Sequence, residues 1–378
     1  MIDLPAARER FEGSTDGAVG LEEEFALLDP ETLELVPAFE RLRDGAHGIP
    51  ELDGAIAGEL ISSELEIVSG RGEDLQDALR RQRVRRRAIF EHAEANGVTL
   101  GATGTHPLSD YREQHIIETE HYRRVEEGLQ YVARRNNTFS LHVHVGVQGA
   151  ERAVRVCDRL RPVLPLLLAV SANSPWVDGM DSGLHSARSQ TFTKSFPRCG
   201  IPDVFGTWQA WADYVELLVR TGSIVEFTQL WWSVRPHHSF GTVEVRICDA
   251  QMTGPEADGL ATLIYACVAQ AAREVDAGET PPDLPGRLIE ENMWRAIRYG
   301  LDGRLLDLEA PRVEEFDAVE TVERLNAWTG AAVALPELNG AQRQRRLIAA
   351  GAGPAEVYAQ CVEETRSTFP ITEEPNVL

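Results

Sequence analysis

Four short segments of the chain alternate between apolar and ionisable residues. This period of two predicts β-strands, because successive side chains of a strand point to opposite faces. In the first segment, Gly20–Leu28, Glu23 interrupts the apolar face. The apolar faces carry Leu21, Phe25, Leu27, then Leu65, Ile67, then Leu141, Val143, Val145, Val147, then Val243, Val245, Ile247; the opposite faces carry Glu22, Glu24, then Glu64, Glu66, then His142, His144, then Glu244, Arg246.

Longer stretches repeat apolar residues at helical spacing, as in the arginine-rich segment Glu73–Asn96. The strand signals end near Pro255. We therefore predict an α+β chain forming a single domain, residues 1–378, with sheet-forming motifs in 17–255 and a mostly helical part in 256–378. The predicted helices are Glu73–Asn96, Tyr111–Arg135, Ala150–Ala172, Thr207–Thr221, Ala257–Asp276, Leu288–Tyr299, Val313–Thr329 and Ala355–Phe369.

The ionisable strand faces differ from an ordinary solvated sheet face, which carries mixed and mostly neutral residues. We predict a curved antiparallel sheet with helices packed on its outer face, so that the open side forms a charged cleft. Each segment alone has a simpler interpretation, because a Glu-x-Glu strand is most often a solvated face. The agreement of four segments favours the cleft.

A shared cleft would place several glutamates and a histidine within a few ångströms of one another. Such crowding raises carboxylate pKa values unless a cation intervenes. Carboxylate oxygens with one imidazole suit Mg²⁺ or Mn²⁺ better than a structural zinc ion. Mg²⁺ held by a few carboxylates keeps positions for nucleotide phosphates, so phosphoryl chemistry is expected. The candidate ligands are Glu22, Glu24, Glu66, His142 and Glu244.

Arginines supply the complementary charge. Arg235, before Pro236, and Arg246, on the ionisable face of the last segment, are candidates to neutralise a transferring phosphoryl group. Arg188 falls in the polar segment Ser186–Lys194, which predicts a loop, and is a candidate to hold a substrate carboxylate. A surface role is the alternative for Arg188. His106 is a weaker candidate for substrate binding, with a structural role as the alternative.

Composition and net charge restrict the classes of molecule that this chain is expected to bind. The formal net charge is −23, which argues against nucleic acid or an anionic membrane as a partner, since both require a cationic surface. Apolar runs stay well short of the roughly 18 to 20 residues that span a bilayer, so a cytoplasmic protein is expected. Walker-type GxxxxGK[ST], GxSxG and HExxH motifs are absent from the sequence. Small-molecule substrates are therefore the partners that the composition favours. The sequence does not decide whether the chain forms a homo-oligomer.

An ordered set of motifs resembles the type 2 glutamate-cysteine ligase family, also called carboxylate-amine ligases. Each motif is weak alone, but the order and spacing match across roughly Val19–Thr253. The motifs are Gly20–Phe25, Glu59–Ile67, Gly104–Pro107, Leu141–Gly146, Ser186–Arg188, Trp231–Pro236 and Gly241–Arg246.

The resemblance implies a catalytic fold like that of glutamine synthetase, with Mg²⁺ and ATP on a curved antiparallel sheet. It implies metal ligands at Glu22, Glu24, Glu66, His142 and Glu244, with Glu59 as a further acidic position. His144, Arg235 and Arg246 would contact nucleotide phosphate or the transferred phosphoryl group.

The implied reaction is phosphorylation of a carboxylate by ATP, followed by attack of an amine on the acyl phosphate. The expected substrates are L-glutamate and L-cysteine, giving γ-glutamylcysteine, ADP and phosphate. The alternatives are a ligase with another carboxylate or amine, a related phosphoryl-transfer enzyme, and a metal or nucleotide sensor without turnover.

Overall fold

The computed structural model describes residues 3–279 and 284–371. The strands are β1 (Val19–Leu28), β2 (Ile56–Ala57), β3 (Glu64–Val68), β4 (Thr99–Gly101), β5 (Ser140–Gly146), β6 (Trp176–Val177), β7 (Met180–Asp181), β8 (Cys199–Gly200), β9 (Trp231–Trp232), β10 (Val234–His237), β11 (Thr242–Asp249), β12 (Arg304–Asp307) and β13 (Glu314–Asp317). The helices are α1 (Leu4–Glu12), α2 (Phe39–Gly45), α3 (Leu75–Ala95), α4 (Glu120–Leu129), α5 (Tyr131–Arg134), α6 (Ala150–Leu160), α7 (Leu164–Ser171), α8 (Ala187–Ser195), α9 (Trp208–Arg220), α10 (Gly254–Asp276), α11 (Gly286–Tyr299), α12 (Thr321–Thr329), α13 (Gly340–Ala349) and α14 (Pro354–Thr368).

Within the described residues, the largest sheet has seven strands in the order β10-β11-β5-β1-β3-β2, with β4 paired to the far end of β1. Its strand pairs are all antiparallel. The four segments predicted from alternation are β1, β3, β5 and β11, and they are neighbours in the middle of this sheet. The predicted α+β class, with an antiparallel sheet and helices on one face, is confirmed.

Helices cover the apolar face of the sheet. Helix α3 packs against β1 and β3, while α6, α7 and α10 pack against β5, β10 and β11. The largest apolar cluster joins strand residues such as Val143 and Val245 to α10 residues such as Leu263 and to Leu325 of α12. The chain after Pro255 therefore shares its core with the sheet.

The helix predicted at Ala150–Ala172 is two helices, α6 and α7. Pro162 lies between them, and proline lacks the N–H that a helix interior requires and clashes with the preceding turn. The helix predicted at Tyr111–Arg135 starts only at Glu120 and is divided at Gln130 into α4 and α5. Upstream of it, the Ile117 amide donates to the Leu60 carbonyl, so pairing with a distant segment replaces the helical turns.

The first turn of the helix predicted at Val313–Thr329 is a strand. Glu314–Asp317 pairs with Arg304–Asp307 as the hairpin β12–β13, and α12 begins only at Thr321. Arg304 lies near Glu315 and Asp317 across this hairpin, so opposite charges support the pairing. The loop predicted at Ser186–Lys194 is also wrong. It forms α8, whose first turn is capped by the Ser186 side chain accepting from the Ser189 amide.

Among the described residues, every helix is too short or too polar to cross a membrane. Acidic residues dominate the charge, with 60 Asp and Glu against 37 Lys and Arg. The excess carboxylates repel one another more strongly in the compact chain than in the unfolded chain.

We expect salt to stabilise the protein for this reason. Raising KCl to about 1 M shortens the screening length to roughly 3 Å and weakens this long-range repulsion. The midpoint of thermal unfolding should rise by several degrees between low salt and molar KCl, measured by circular dichroism. A constant or falling midpoint would mean that loss of surface ion pairs outweighs relief of the repulsion.

Candidate active site

The cleft face of the sheet is built from cross-strand rows of ionisable residues. In one row, Arg235 of β10 lies opposite Glu244 of β11, which lies opposite His144 of β5. In the next row, His142 lies opposite Glu22 of β1. Glu24 lies opposite Glu66 of β3. Directly opposed residues of adjacent strands have neighbouring side chains, so register alone brings these groups together.

A β-bulge in β11 places Arg246 in this face. Val245 lies opposite Val143 and Cys248 lies opposite Leu141, so β11 has one residue more than β5 in this interval. Bulges re-aim side chains and are frequent beside active sites. Here the bulge lies next to His142, and both Arg246 and Glu244 line the cleft.

The cleft has a volume of about 1100 Å³, part of it open to solvent. Its walls include most of the residues expected from the sequence. His144 lies behind the lining, against Glu22 and Glu244. The expected residues that line the cleft are Glu22, Glu24, Glu59, Glu66, His142, Arg188, Arg235, Glu244 and Arg246.

One half of the cleft is balanced in charge. Arg235 donates to both carboxylate oxygens of Glu244, at 2.6 and 3.2 Å, and Arg246 also donates to Glu244. Burial opposes ionisation of Glu244, but the two guanidinium groups and His144 hold its pKa well below the usual range. His144 Nε2 lies 3.0 Å from a Glu22 oxygen.

The pKa values of the two β5 histidines are shifted in opposite directions. Burial opposes the charged form of His144, yet Glu22 and Glu244 raise its pKa above the ordinary value. For His142, burial and the charge of Arg246 lower the pKa. His142 is therefore harder to protonate than His144. One of its nitrogens lies 3.1 Å from Glu22 and the other 2.8 Å from the Ser140 hydroxyl.

The other half of the cleft carries uncompensated negative charge. Burial, followed by the charges of the neighbouring carboxylates, raises the pKa of Glu59 to about 8 and the pKa values of Glu64 and Glu66 well above the usual range. The Tyr122 hydroxyl shows the same environment, because burial and four nearby glutamates raise its pKa. A cation bound in this half would remove the repulsion.

Among residues 3–279 and 284–371, three groups of side chains have ligand atoms close enough to share a metal ion. Within each group, one ligand atom per residue lies within 4.8 Å of the others. Two groups, Glu24–Glu59–Glu66 and Glu22–Glu66–His142, draw on the uncompensated half. The third is Glu22–His144–Glu244, where arginines already bond Glu244. The donor chemistry, mainly carboxylate oxygens, fits Mg²⁺ or Mn²⁺.

Arg188 projects from α8 to the floor of the cleft. Its guanidinium donates to the backbone carbonyls of Ile247 and Arg246 at 3.1 and 3.2 Å. An Asp249 carboxylate oxygen lies 3.7 Å from the guanidinium, and within the described part of the chain the buried Nε has no hydrogen-bond partner. Arg188 is thus a buried cation with donor capacity left for an anion.

His106 lies away from this cleft, in contrast to the expectation of substrate binding. One ring nitrogen accepts from the amides of Leu108 and Ser109, and the other lies 2.8 Å from the Leu33 carbonyl. Both nitrogens are thus engaged in holding loops together. Gly104 in the same motif is also structural, since a Cβ there would lie 2.7 Å from the Asp249 side chain.

Some cleft residues escaped the sequence analysis. Ser140 precedes His142 by two positions, so extending the alternation of β5 backwards would have found it; its amide and hydroxyl donate to Glu24 at 2.5 and 2.6 Å. The aromatic residues of the cleft come from helices, loops and the short strand β9, which carry no comparable signal. Further lining residues are Leu60, Glu64, Tyr122, Val125, Asn136, Thr138, Phe192, Phe196, Trp231 and His237.

Comparison with known sequences gives a family match over most of the chain. A family model described as glutamate-cysteine ligase family 2 matches residues 18–364. A protein of Rubrobacter xylanophilus provisionally named glutamate–cysteine ligase 2-2 is 42% identical over 320 residues, covering 84% of this chain and 81% of the relative. A second protein of that organism, provisionally named glutamate–cysteine ligase 2-1, is 38% identical over 367 residues and covers 94% and 96%.

Solved structures show the same fold at low sequence identity. A bifunctional glutathione synthetase from Pasteurella multocida superposes with a TM-score of 0.67 at 14% identity, covering 96% of this chain and 53% of that one. This chain thus spans about half of the bifunctional protein. A glutamate–cysteine ligase from Francisella tularensis, solved in complex with AMP, gives a TM-score of 0.63 at 11% identity and covers 94% and 88%.

We expect Mg²⁺ to stabilise the protein more strongly as pH rises. Without metal, the folded chain keeps protons on Glu59, Glu64 and Glu66 that the unfolded chain loses near pH 4.5, so its free energy of unfolding falls between there and about pH 8. Mg²⁺ must displace these protons and therefore binds more tightly over the same interval. The test is to measure the midpoint of thermal unfolding with and without Mg²⁺ across this pH range. A Mg²⁺-induced change in midpoint that is independent of pH would contradict the prediction.

Two neutralising substitutions should have opposite effects on the metal-free protein. Glu66→Gln removes a carboxylate crowded by its neighbours, so stability should hold or rise while the Mg²⁺-induced shift disappears. Glu244→Gln leaves Arg235 buried without its anion and should lower the free energy of unfolding by about 3–5 kcal/mol. Chemical denaturation measures both. Equal losses of stability would contradict the division of the cleft into two halves.

Proposed function

This chain belongs to glutamate-cysteine ligase family 2, and from that premise we propose that it joins the side-chain carboxyl of L-glutamate to the amine of L-cysteine. The reaction would consume ATP and release ADP and phosphate. The names of the relatives support the glutamate–cysteine pair. The AMP complex of the Francisella tularensis ligase supports the use of an adenine nucleotide.

One observation carries the proposal. Four buried or partly buried glutamates, three of which have raised pKa values, line the same cleft as three buried or partly buried guanidinium groups. Such a cleft suits a metal-bound polyphosphate, whose cation meets the glutamates while its phosphates and a substrate carboxylate meet the arginines. The glutamates are Glu24, Glu59, Glu64 and Glu66, and the arginines are Arg188, Arg235 and Arg246.

Mg²⁺ or Mn²⁺ would be held by the two groups in the uncompensated half, Glu24–Glu59–Glu66 and Glu22–Glu66–His142. The ion would neutralise phosphate charge and make the terminal phosphoryl group more electrophilic. Ser140 fixes one Glu24 oxygen through two hydrogen bonds, which keeps this carboxylate oriented before any ion binds.

The two arginines of the balanced half have different roles. Arg235 uses its donors on Glu244 and on the carbonyls of Thr228 and Leu230, so it holds Glu244 and contributes charge from a fixed position. Arg246 donates to Glu244 through one nitrogen, while among the described residues its Nε has no hydrogen-bond partner. This remaining donor supports Arg246 as the contact of the transferred phosphoryl group.

Arg188 would orient the carboxylate substrate. Its unpartnered Nε can donate to an anion in the cleft, and its two carbonyl contacts keep the guanidinium from swinging away. Because those contacts lie on the bulge that carries Arg246, the two cations are held in a fixed relation. A carboxylate beside Arg188 would lie near the phosphoryl group beside Arg246.

The chemistry proceeds in two displacements. A carboxylate oxygen of glutamate attacks the γ-phosphorus of ATP, and the bond to the ADP oxygen breaks. The amine nitrogen then attacks the acyl carbon, phosphate leaves with the electron pair of the C–O bond, and the amine proton is lost to solvent or a neighbouring base. The depth of the cleft, where Glu24, Glu64 and His142 are each no more than 5% exposed, limits hydrolysis of the acyl phosphate by water.

A ligase assay tests the proposal. Purified protein with Mg²⁺, ATP, L-glutamate and L-cysteine should release one ADP for each amide formed, measured by coupled spectroscopy and mass spectrometry. Glu66→Gln should lower the rate at least about a hundredfold, because it removes a carboxylate shared by two ligand groups.

A panel of single amines in place of cysteine serves as the control for substrate identity. If ADP is released only with an amine other than cysteine, the assignment of cysteine as substrate is wrong but the assignment of ligase activity stands. A stable phosphorylated product without an amide, seen by phosphorus NMR, would identify a kinase instead. Absence of ADP release with every amine would contradict the proposal.

A further inference from the structure

The sequence Glu22-Glu23-Glu24 poses a problem that alternation alone leaves open. Three consecutive glutamates are equally polar, so the assignment of Glu22 and Glu24 to the cleft face holds only if the alternation set by Leu21 and Phe25 continues unbroken through Glu23. Shifting a strand by one residue moves every affected side chain to the other face. A local bulge, as in β11, would suffice. The outer two must face the cleft if they are to serve as ligands.

Glu23 points into the core and meets a fixed set of partners there. Arg86 of α3 donates to both Glu23 oxygens at 2.6 Å, and Gln82 donates to one of them at 2.6 Å. Gln82 also donates to the carbonyl of Ile67 at 3.1 Å. Ile67 is the residue opposite Glu23 on β3. Helix α3 is thus hydrogen-bonded both to β1, which carries Glu22 and Glu24, and to β3, which carries Glu66.

The far side of Arg86 is anchored as well. Its remaining terminal nitrogen donates to Asp258 of α10 at 2.6 Å, and Arg83 donates to the other Asp258 oxygen at 2.8 Å. The side chains of Glu23 and Arg86 are 5% and 2% exposed. An ion pair buried this deeply is weak evidence for added stability, and buried polar contacts are better attested as devices that fix register.

We propose that Glu23, Gln82 and Arg86 form a clamp that decides which glutamates of β1 face the cleft and so sets the metal-binding geometry. Glu23 acts here as a positioning residue and contacts no substrate. The inference rests on the metal site proposed above. It gives a reason for the charged residue on the apolar face of β1 and for the buried polar residues of α3.

Metal binding measured without turnover tests the clamp. Free Mn²⁺ is followed by electron paramagnetic resonance during titration of the full chain. Glu23→Gln and Arg86→Met should weaken Mn²⁺ binding by about tenfold or more, as for other residues that orient ligands. Gln82→Met removes two hydrogen bonds without removing a charged group, so it is the variant to rely on if Arg86→Met fails to fold, and it should weaken binding several-fold.

Arg159→Met is the matched control. Arg159 forms a buried ion pair with Glu274 that joins α6 to α10 and includes no residue of α3, β1 or β3. It should lower the midpoint of thermal unfolding to a similar degree as the clamp variants, yet leave Mn²⁺ affinity within about twofold of the wild type. If the clamp has a purely structural role, its variants should behave like Arg159→Met: the midpoint of thermal unfolding should fall while Mn²⁺ affinity stays within about twofold of the wild type.

A rescue separates register from charge. The double substitution Glu23→Leu with Arg86→Met makes the alternation of β1 regular, because an apolar side chain then lies between Leu21 and Phe25 on the core face and the two outer glutamates face the cleft. Mn²⁺ affinity should return to within about threefold of the wild type.

Unchanged affinity in the Glu23, Gln82 and Arg86 single variants, or weak binding by a stably folded double variant, overturns the clamp. Absence of Mn²⁺ binding by the wild type overturns the metal site and the clamp together.

Discussion

Repulsion among the glutamates of the cleft face is the constraint on which the rest of the structure depends. Burial and mutual proximity raise the pKa values of Glu59, Glu64 and Glu66, so the metal-free fold binds protons there more tightly than the unfolded chain does. Such an arrangement is unfavourable unless another part of the molecule, or a bound cation, offsets it. The fold supplies the offset for one half of the cleft and leaves the other half for a ligand.

The offset that the fold supplies is specific in geometry. Arg235 and Arg246 bond Glu244, and His144 lies against Glu22, so these two carboxylates stay ionised. Preorganised cations of this kind act on developing charge without reorganisation during the reaction. The division between a balanced and an uncompensated half thus separates carboxylates that the fold keeps ionised from carboxylates that a cation can bind.

Support for the cleft comes from the opposite face of the sheet as much as from the cleft itself. The apolar face packs on α6, α7 and α10, and α3 adds hydrogen bonds to Glu23 and Ile67 beneath the strands that carry Glu22, Glu24 and Glu66. The helices after Pro255 therefore contribute to the position of the glutamates, although they carry none of the motifs that identify the family.

The sequence by itself determined the strands β1, β3, β5 and β11 and the side chains they present, because a period of two assigns faces without reference to the rest of the chain. Tertiary structure decided what periodicity cannot encode. The bulge that aims Arg246, the edge position that tolerates Pro236 in β10, and the capped helix that delivers Arg188 each depend on distant partners. His106 shows the same limit, since only the fold places its ring nitrogens against loop backbone.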